Sequence, residues 1–181
     1  MFSMITRMCA KDGATIDQVS HWDLPLLSGR PIDGVVSKPI EFEIDLDNDG
    51  RRMPTFFTTP AFVATDAFCR DLHAAGVDNT QVYPAVIRNT DTGETFEDYR
   101  VLNIVGLIAC VDMEASEVSQ LGPGLSFLQE IVLREDVVPG SVRVFRLAED
   151  PTKIIVANQV LDTLKRKGYE DIYSEPLTSK A

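Results

Sequence analysis

Apolar and polar positions first settle into a regular pattern at Ile40, where Ile40, Phe42, Ile44 and Leu46 alternate with Glu41, Glu43 and Asp45. A period of two, carried by β-branched and aromatic residues, predicts a strand with one wet face. Asn48, Asp49 and Gly50 supply turn chemistry, because Asn and Gly tolerate positive φ. Thr55, Phe56 and Phe57 then read as part of the returning strand, which makes residues 45–49 an acidic hairpin tip. Thr65 is placed to cap a helix running to Ala75, with Phe68, Cys69, Leu72 and Ala75 on one face and Gly76 at its end.

Residues 81–88 (QVYPAVIR) read as extended, with Pro84 suiting an edge or strand end. Residues 89–94 (NTDTGE) form a turn, and residues 99–111 read as one long buried strand in which Gly106 marks a bulge or bend. After the break at Gly122, Pro123 and Gly124 comes an apolar run of ambiguous type, residues 127–133. Strands are expected over residues 141–147 and 153–156. Asn158 is expected to cap a final helix that buries Val160, Leu161 and Leu164 and ends on Lys165, Arg166, Lys167 and Gly168, a charge order that favours the helix dipole. Strands before, between and after two helices predict an α+β fold with a mixed or mainly antiparallel sheet in a single compact domain. The proposed division is an irregular or extended N-terminal segment packing on the domain (residues 1–39), the α+β domain (residues 40–177) and a short tail (residues 178–181).

Composition narrows the class. The chain has 181 residues, 44% of them apolar, enough for a core that needs no disulfide or metal staple. Seventeen Lys and Arg against 28 Asp and Glu give a net charge of −11, with the excess concentrated in the middle third. Such a field repels phosphate backbones, which argues against direct nucleic-acid binding. The three cysteines, Cys9, Cys69 and Cys110, fit neither a disulfide framework nor a zinc pattern. No signal-peptide pattern opens the chain and no stretch reaches the ~20 apolar residues of a membrane span, so a cytoplasmic location without membrane contact is expected.

Candidate chemistry is sparse. Asp45, Asp47, Asp49 and Gly50 reproduce the opening of a calcium loop, but position twelve is Phe56 where the closing Glu belongs, and Arg51 and Arg52 bring positive charge. An acidic turn is the stronger reading, and a calcium-responsive module stays open as an alternative. Cys69 and His73 stand at i and i+4, within reach of each other on a helix, yet no third orienting group accompanies them. They leave open a small hydrolase-like enzyme of unknown substrate. No phosphate loop or dinucleotide fingerprint occurs. Neither cofactor nor metal is expected, and the chemistry favours a protein that binds rather than reacts.

The stretch YRVLNIVGLIACVDMEAS, residues 99–116, resembles the core signature of immunity family eleven of the bacterial polymorphic-toxin systems, a myxobacterial-type immunity domain once catalogued as a domain of unknown function. The resemblance rests on Tyr99, Asn103, Ile104, Asp112 and Ser116 in order, on the extended segment around Tyr83 and Pro84, and on the strand–strand–helix ending over residues 142–177. It implies a non-enzymatic immunity protein that binds and neutralises a cognate toxin, with a nuclease as one candidate class, in interbacterial competition; oligomeric state stays open. The signature residues Tyr83, Pro84, Tyr99, Asn103, Asp112 and Ser116 are expected to be structural. The expected toxin contacts are the acidic turn with Asp91, Glu94, Glu97 and Asp98, then the tip with Asp45, Asp47 and Asp49.

Overall fold

In a computed structural model of the chain, residues 1–7, 13–21, 23–45, 50, 52–122 and 125–180 are described. The element order is β1 (Phe2–Arg7), β2 (Ile16–Gln18), β3 (Ile40–Ile44), β4 (Phe56–Phe57), β5 (Val63–Thr65), α1 (Asp66–Ala74), β6 (Thr80–Arg88), β7 (Thr95–Ile104) and β8 (Leu107–Ile108). It continues with β9 (Glu117–Gly122), β10 (Leu125–Glu130), β11 (Val132–Arg134), a 3₁₀ turn (Glu135–Val137), β12 (Val144–Leu147), β13 (Ile154–Ala157), α2 (Asn158–Arg166), β14 (Ile172–Pro176) and β15 (Thr178–Lys180). One mixed sheet runs β2-β3-β6-β7-β5-β4 and a second runs β14-β1-β13-β12-β8. Strands β9 and β10 form a hairpin of their own, and β11 pairs with β15. This is the α+β class expected from the pattern.

Three apolar clusters hold these layers. Phe56, Ala64, Leu102 and Ile104 of the first sheet meet Ile5, Val144, Ile154 and Val156 of the second, with Phe68 and Leu72 of α1 and Val160, Leu161 and Leu164 of α2 in the same cluster. The opposite face of the first sheet carries Ile40, Phe42, Ile44, Ala85, Ile87, Tyr99 and Val101, and Ala14, Leu26 and Ile32 of the N-terminal segment pack on it. The opposite face of the second sheet packs Met4, Phe145, Leu147 and Ile155 against Cys110, Leu128 and Leu133. The alternation read from the sequence at Ile40–Ile44 recurs as a buried/half-buried alternation in β3, which is what one covered face produces.

Helix α1 starts where its chemistry dictates: the Thr65 hydroxyl accepts from the Phe68 N–H at 3.3 Å, and Gly76 takes φ +89° just beyond the end. Arg100 of β7 grips Asp66 in the first turn at 3.0 Å through both Nε and Nη2. Farther along, Asp71 accepts from Lys167 and from the Tyr169 hydroxyl, while Tyr169 meets Phe68 edge-on at 5.2 Å. These contacts tie the end of α2 to α1 and hold the Asp71 carboxyl below its ordinary pKa, chiefly through the Lys167 and Tyr169 hydrogen bonds.

Three local expectations are corrected. The β3 strand does not fold back on Phe56 and Phe57: β3 lies between β2 and β6, parallel to β6, and β4 pairs with β5 at the other edge. The aromatic pair is buried on both faces, and a place beside Val63 and Ala64 satisfies both residues as a return along β3 would not. Asn158 is the first residue of α2 rather than its cap; its side-chain oxygen instead accepts from Ser3 Oγ at 2.8 Å, drawing β1 onto the helix start. The apolar run over residues 99–111 is split between the two sheets, since β7 ends at Ile104 and β8 begins at Leu107. Two backbone bonds hold the crossing, Gly106 N–H to Gly29 at 3.0 Å and Arg146 N–H to Gly106 at 2.8 Å.

Asn79 fastens that crossing: its side-chain amide donates to the Val105 carbonyl at 2.7 Å and the Val144 carbonyl at 2.9 Å, one from each side of the junction. Replacing it leaves both carbonyls short of a donor. Asn79→Ala is expected to lower unfolding free energy by about 2 kcal/mol, measured by urea denaturation with an unchanged m-value. A loss under ~0.5 kcal/mol would show that the junction does not depend on this amide.

Candidate functional site

Four of the sequence candidates, Asp91, Glu94, Glu97 and Asp98, lie on the β6–β7 hairpin. Asn89 organises its tip: the side-chain oxygen accepts from the N–H groups of Asp91 at 3.0 Å and Thr92 at 3.1 Å, and the backbone carbonyl takes the Gly93 N–H at 2.8 Å. Gly93 has φ +75°, a conformation that an L side chain would strain. This fixed turn leaves Asp91 and Glu94 exposed. Farther down, the register passes from Ala85 opposite Tyr99 to Ile87 opposite Phe96, so Glu97 and Asp98 share the single partner Val86. The two-against-one arrangement is a β-bulge, a device that re-aims side chains. Both acids there are exposed. Asp91, Glu94, Glu97 and Asp98 therefore lie along one projecting hairpin. The other expected contact is described only in part: Asp45 takes a hydrogen bond from Thr15 Oγ1 at 3.1 Å, while Asp47 and Asp49 lie outside the described residues, as do most of the turn expected there.

The signature residues are occupied in holding backbone. Tyr99 is buried and its hydroxyl donates to the Pro54 carbonyl at 2.6 Å; burial, with Asp98 and Asp171 nearby, raises its pKa well above the ordinary tyrosine value. Asn103, with no exposed surface, donates to the Arg30 carbonyl at 2.8 Å and to Gln81 Oε1 at 2.9 Å. Gln81 in turn takes the Ile32 N–H and donates to the Ile32 carbonyl, so two neighbouring amides clasp residues 30–32 against the sheet. Asp112 accepts from the N–H groups of Glu114 and Ala115, each at 3.1 Å, and the Ser116 hydroxyl accepts from the Val132 N–H at 2.9 Å. Together they close the turn leading into β9. Tyr83 is half-buried against the N-terminal face, and Pro84 is exposed opposite Arg100.

The Cys69–His73 pair lacks the electrostatics of a nucleophile. The Cys69 thiol is directed at the Ala64 carbonyl, and burial with Asp66 close by pushes its pKa up to about 12. Activation requires a shift the other way. His73 uses Nδ1 on the Val77 carbonyl at 3.2 Å. Surface depressions of about 280–420 Å³ occur elsewhere, and neither residue lines them. Among the described residues no group of three or more His, Cys, Asp or Glu could hold a metal ion, and no helix is long and apolar enough to cross a membrane.

Sequence reasoning missed Arg146. It has no exposed surface, it donates from Nη1 to the Pro151 carbonyl at 2.7 Å, and burial lowers its pKa to about 10. Gly29 packs against its stem, where a Cβ would lie 3.4 Å from Cδ. The guanidinium is sealed from solvent, so its role is internal. The apolar neighbours Val144, Phe145 and Leu147 mark a strand covered on both faces, where Arg146 lies inward with them, and only its residue type disguised this.

The organised polar residues among those described thus serve mainly backbone. The model of the Immunity protein family (Imm11) matches residues 13–175, and the chain belongs to this family. No curated protein matches it.

The two described thiols, Cys69 and Cys110, allow a direct check that neither is activated. Burial also pushes Cys110 up to about 12, so at pH 8 only about one thiol in 10⁴ is ionised at either position. In a Cys9→Ser background, the folded protein is expected to leave a thiol-reactive disulfide reagent essentially unconsumed over minutes, with two equivalents reacting at once in denaturant. Rapid reaction of one equivalent in the folded state would reveal an activated Cys69 or Cys110.

Proposed function

We propose that this protein is a non-enzymatic antidote that binds and neutralises a cognate secreted bacterial toxin, of the polymorphic type delivered by contact or type VI machinery, in the cytoplasm of the producer or its kin. The observation that carries the reading is membership of an immunity family over residues 13–175. The thiol and histidine chemistry described above agrees with it, because blockade needs a good surface and no perturbed nucleophile. A standard interface of ~1,200–2,000 Å² with a few anchors suffices.

The acidic β6–β7 hairpin is the proposed steering element, with Asp45, Asp47 and Asp49 as a second acidic contact. A net charge of −11 accelerates encounter with a positively charged partner, as the active-site face of a nuclease is. Rim charges act mainly on the association rate and lose force as salt rises.

Co-expression with the product of the adjacent gene tests the reading. Host survival and a stable co-purified complex are expected. Glu94→Lys, Glu97→Lys and Asp98→Lys together are expected to slow association roughly tenfold at low salt, with the gap narrowing at high salt. A neighbour that is harmless alone, or that kills equally well and never co-purifies, would exclude the antidote reading for that pair.

A further inference from the structure

The first sheet is covered unequally. Its N-terminal-segment face is closed along β3, β6 and β7. On the other face α1 packs over β5 and β7, where Leu102 and Ile104 are buried, while β2, β3 and β6 extend beyond it. The outward residues are fixed by register: Asp17 lies beside Glu43 and Glu43 beside Arg88, Glu41 lies beside Val86, and Pro84 lies beside Arg100. A strand with one solvated face places polar residues outward, and β3 does so with Glu41 and Glu43.

Strand β6 does not. Its inward residues Tyr83, Ala85 and Ile87 belong to the N-terminal-side cluster, and its outward residues Val82, Pro84 and Val86 are apolar as well. Val82 is 50% exposed, Pro84 is exposed and Val86 is half-buried. The result is an apolar stripe on a rigid strand. It is flanked by Asp17, Glu41 and Glu43 on one side and by the bulged Glu97 and Asp98 on the other. Among the described residues the positive charges bordering the stripe are Arg88, held by Glu41 at 3.1 Å, and Arg100, held by Asp66, so Glu41 is paired within the rim and its acidity rests on Asp17, Glu43, Glu97 and Asp98.

We infer that this outward face of β3 and β6 is the docking surface for the cognate toxin, with Val82, Pro84 and Val86 as the dry centre and the acids as the rim. The inference rests on the antidote reading and adds the surface to it. An apolar centre inside a charged rim is the anatomy of a specific interface, and the sign of the rim selects the occupant: a protein whose contact face carries Lys and Arg around an apolar anchor. The two parts have separable kinetic duties. The rim speeds encounter, and the desolvated centre sets the residence time. The bulge joins them, since it sets Glu97 and Asp98 directly opposite Val86.

The test is a Val82→Lys/Val86→Lys double variant of the full chain, whose added positive charge repels the expected partner. Binding to the adjacent gene's product and host rescue are read beside Val35→Lys, a fully solvated control on another segment (92% exposed). With the wild type binding and the double variant folded, the dissociation constant is expected to rise at least about 30-fold through a faster off-rate. The control stays within about threefold. If the double variant does not fold, Val82→Thr/Val86→Thr retains strand preference and is expected to raise the off-rate in the same sense. Wild-type rescue with unchanged affinity in a folded face variant would overturn this surface and leave the antidote reading standing. A wild type that neither binds nor rescues would remove both.

Discussion

The whole arrangement depends on how the chain passes from one sheet to the other at Val105 and Gly106. Two sheets sharing one apolar interior must be joined by backbone whose polar groups cannot all reach a ladder, and unpaired groups there are costly. Asn79 answers that constraint by donating to carbonyls on both sides of the crossing. Gly106 allows the close approach, since a Cβ there would stand 3.3 Å from the Asn79 amide nitrogen. Two residues on, Gln81 and Asn103 hold residues 30–32 on the same strands. Three amides, Asn79 just before β6, Gln81 on β6 and Asn103 on β7, therefore hold the second sheet and the N-terminal cover to the first sheet.

This division of labour connects fold to function. The polar residues that define the family resemblance are committed mainly to backbone: Tyr99 to Pro54, Asn103 to Arg30 and to the Gln81 side chain that clasps Ile32, and Asp112 and Ser116 to the turn before β9. Asn103 and Gln81 fasten β6 and β7 to residues 30–32. The hairpin tip and the outward positions Val82 and Val86 lie outside these bonds and can differ in sequence without loss of the core, which partner-specific recognition requires. A preorganised strand also spends little ordering entropy on binding.

Much of this was legible in the sequence because local chemistry and tertiary placement agree there. The Thr65 cap, the apolar face of α2 and the alternation of β3 are each stated by neighbouring residues and recur in the fold. Non-local pairings were hidden. Nothing near Phe56 announces that its partner is Ala64 rather than β3, and the turn residues before it suggested a hairpin. Asn158 carries capping chemistry, yet Ser3, 155 residues away, claims its side chain. Arg146 violates the rule that charge lies outside, and its inward place shows only in the apolar residues on both sides of it, Phe145 and Leu147. The acidic hairpin was readable as charge, but its bulge and the apolar stripe beside it were not. QVYPAVIR reads only as extended, with Pro84 suiting an edge or strand end, whereas β6 lies between β3 and β7 and only the sheet shows which of its faces is left uncovered.

Hydrogen–deuterium exchange of the protein, free and in complex with the product of the adjacent gene, tests the central claim most directly. The account predicts new protection along residues 82–88 and 41–43 and at the β6–β7 tip, with the second sheet unchanged. Protection confined to the second sheet or to the β9–β10 hairpin, with β6 exchanging as in the free protein, would contradict it.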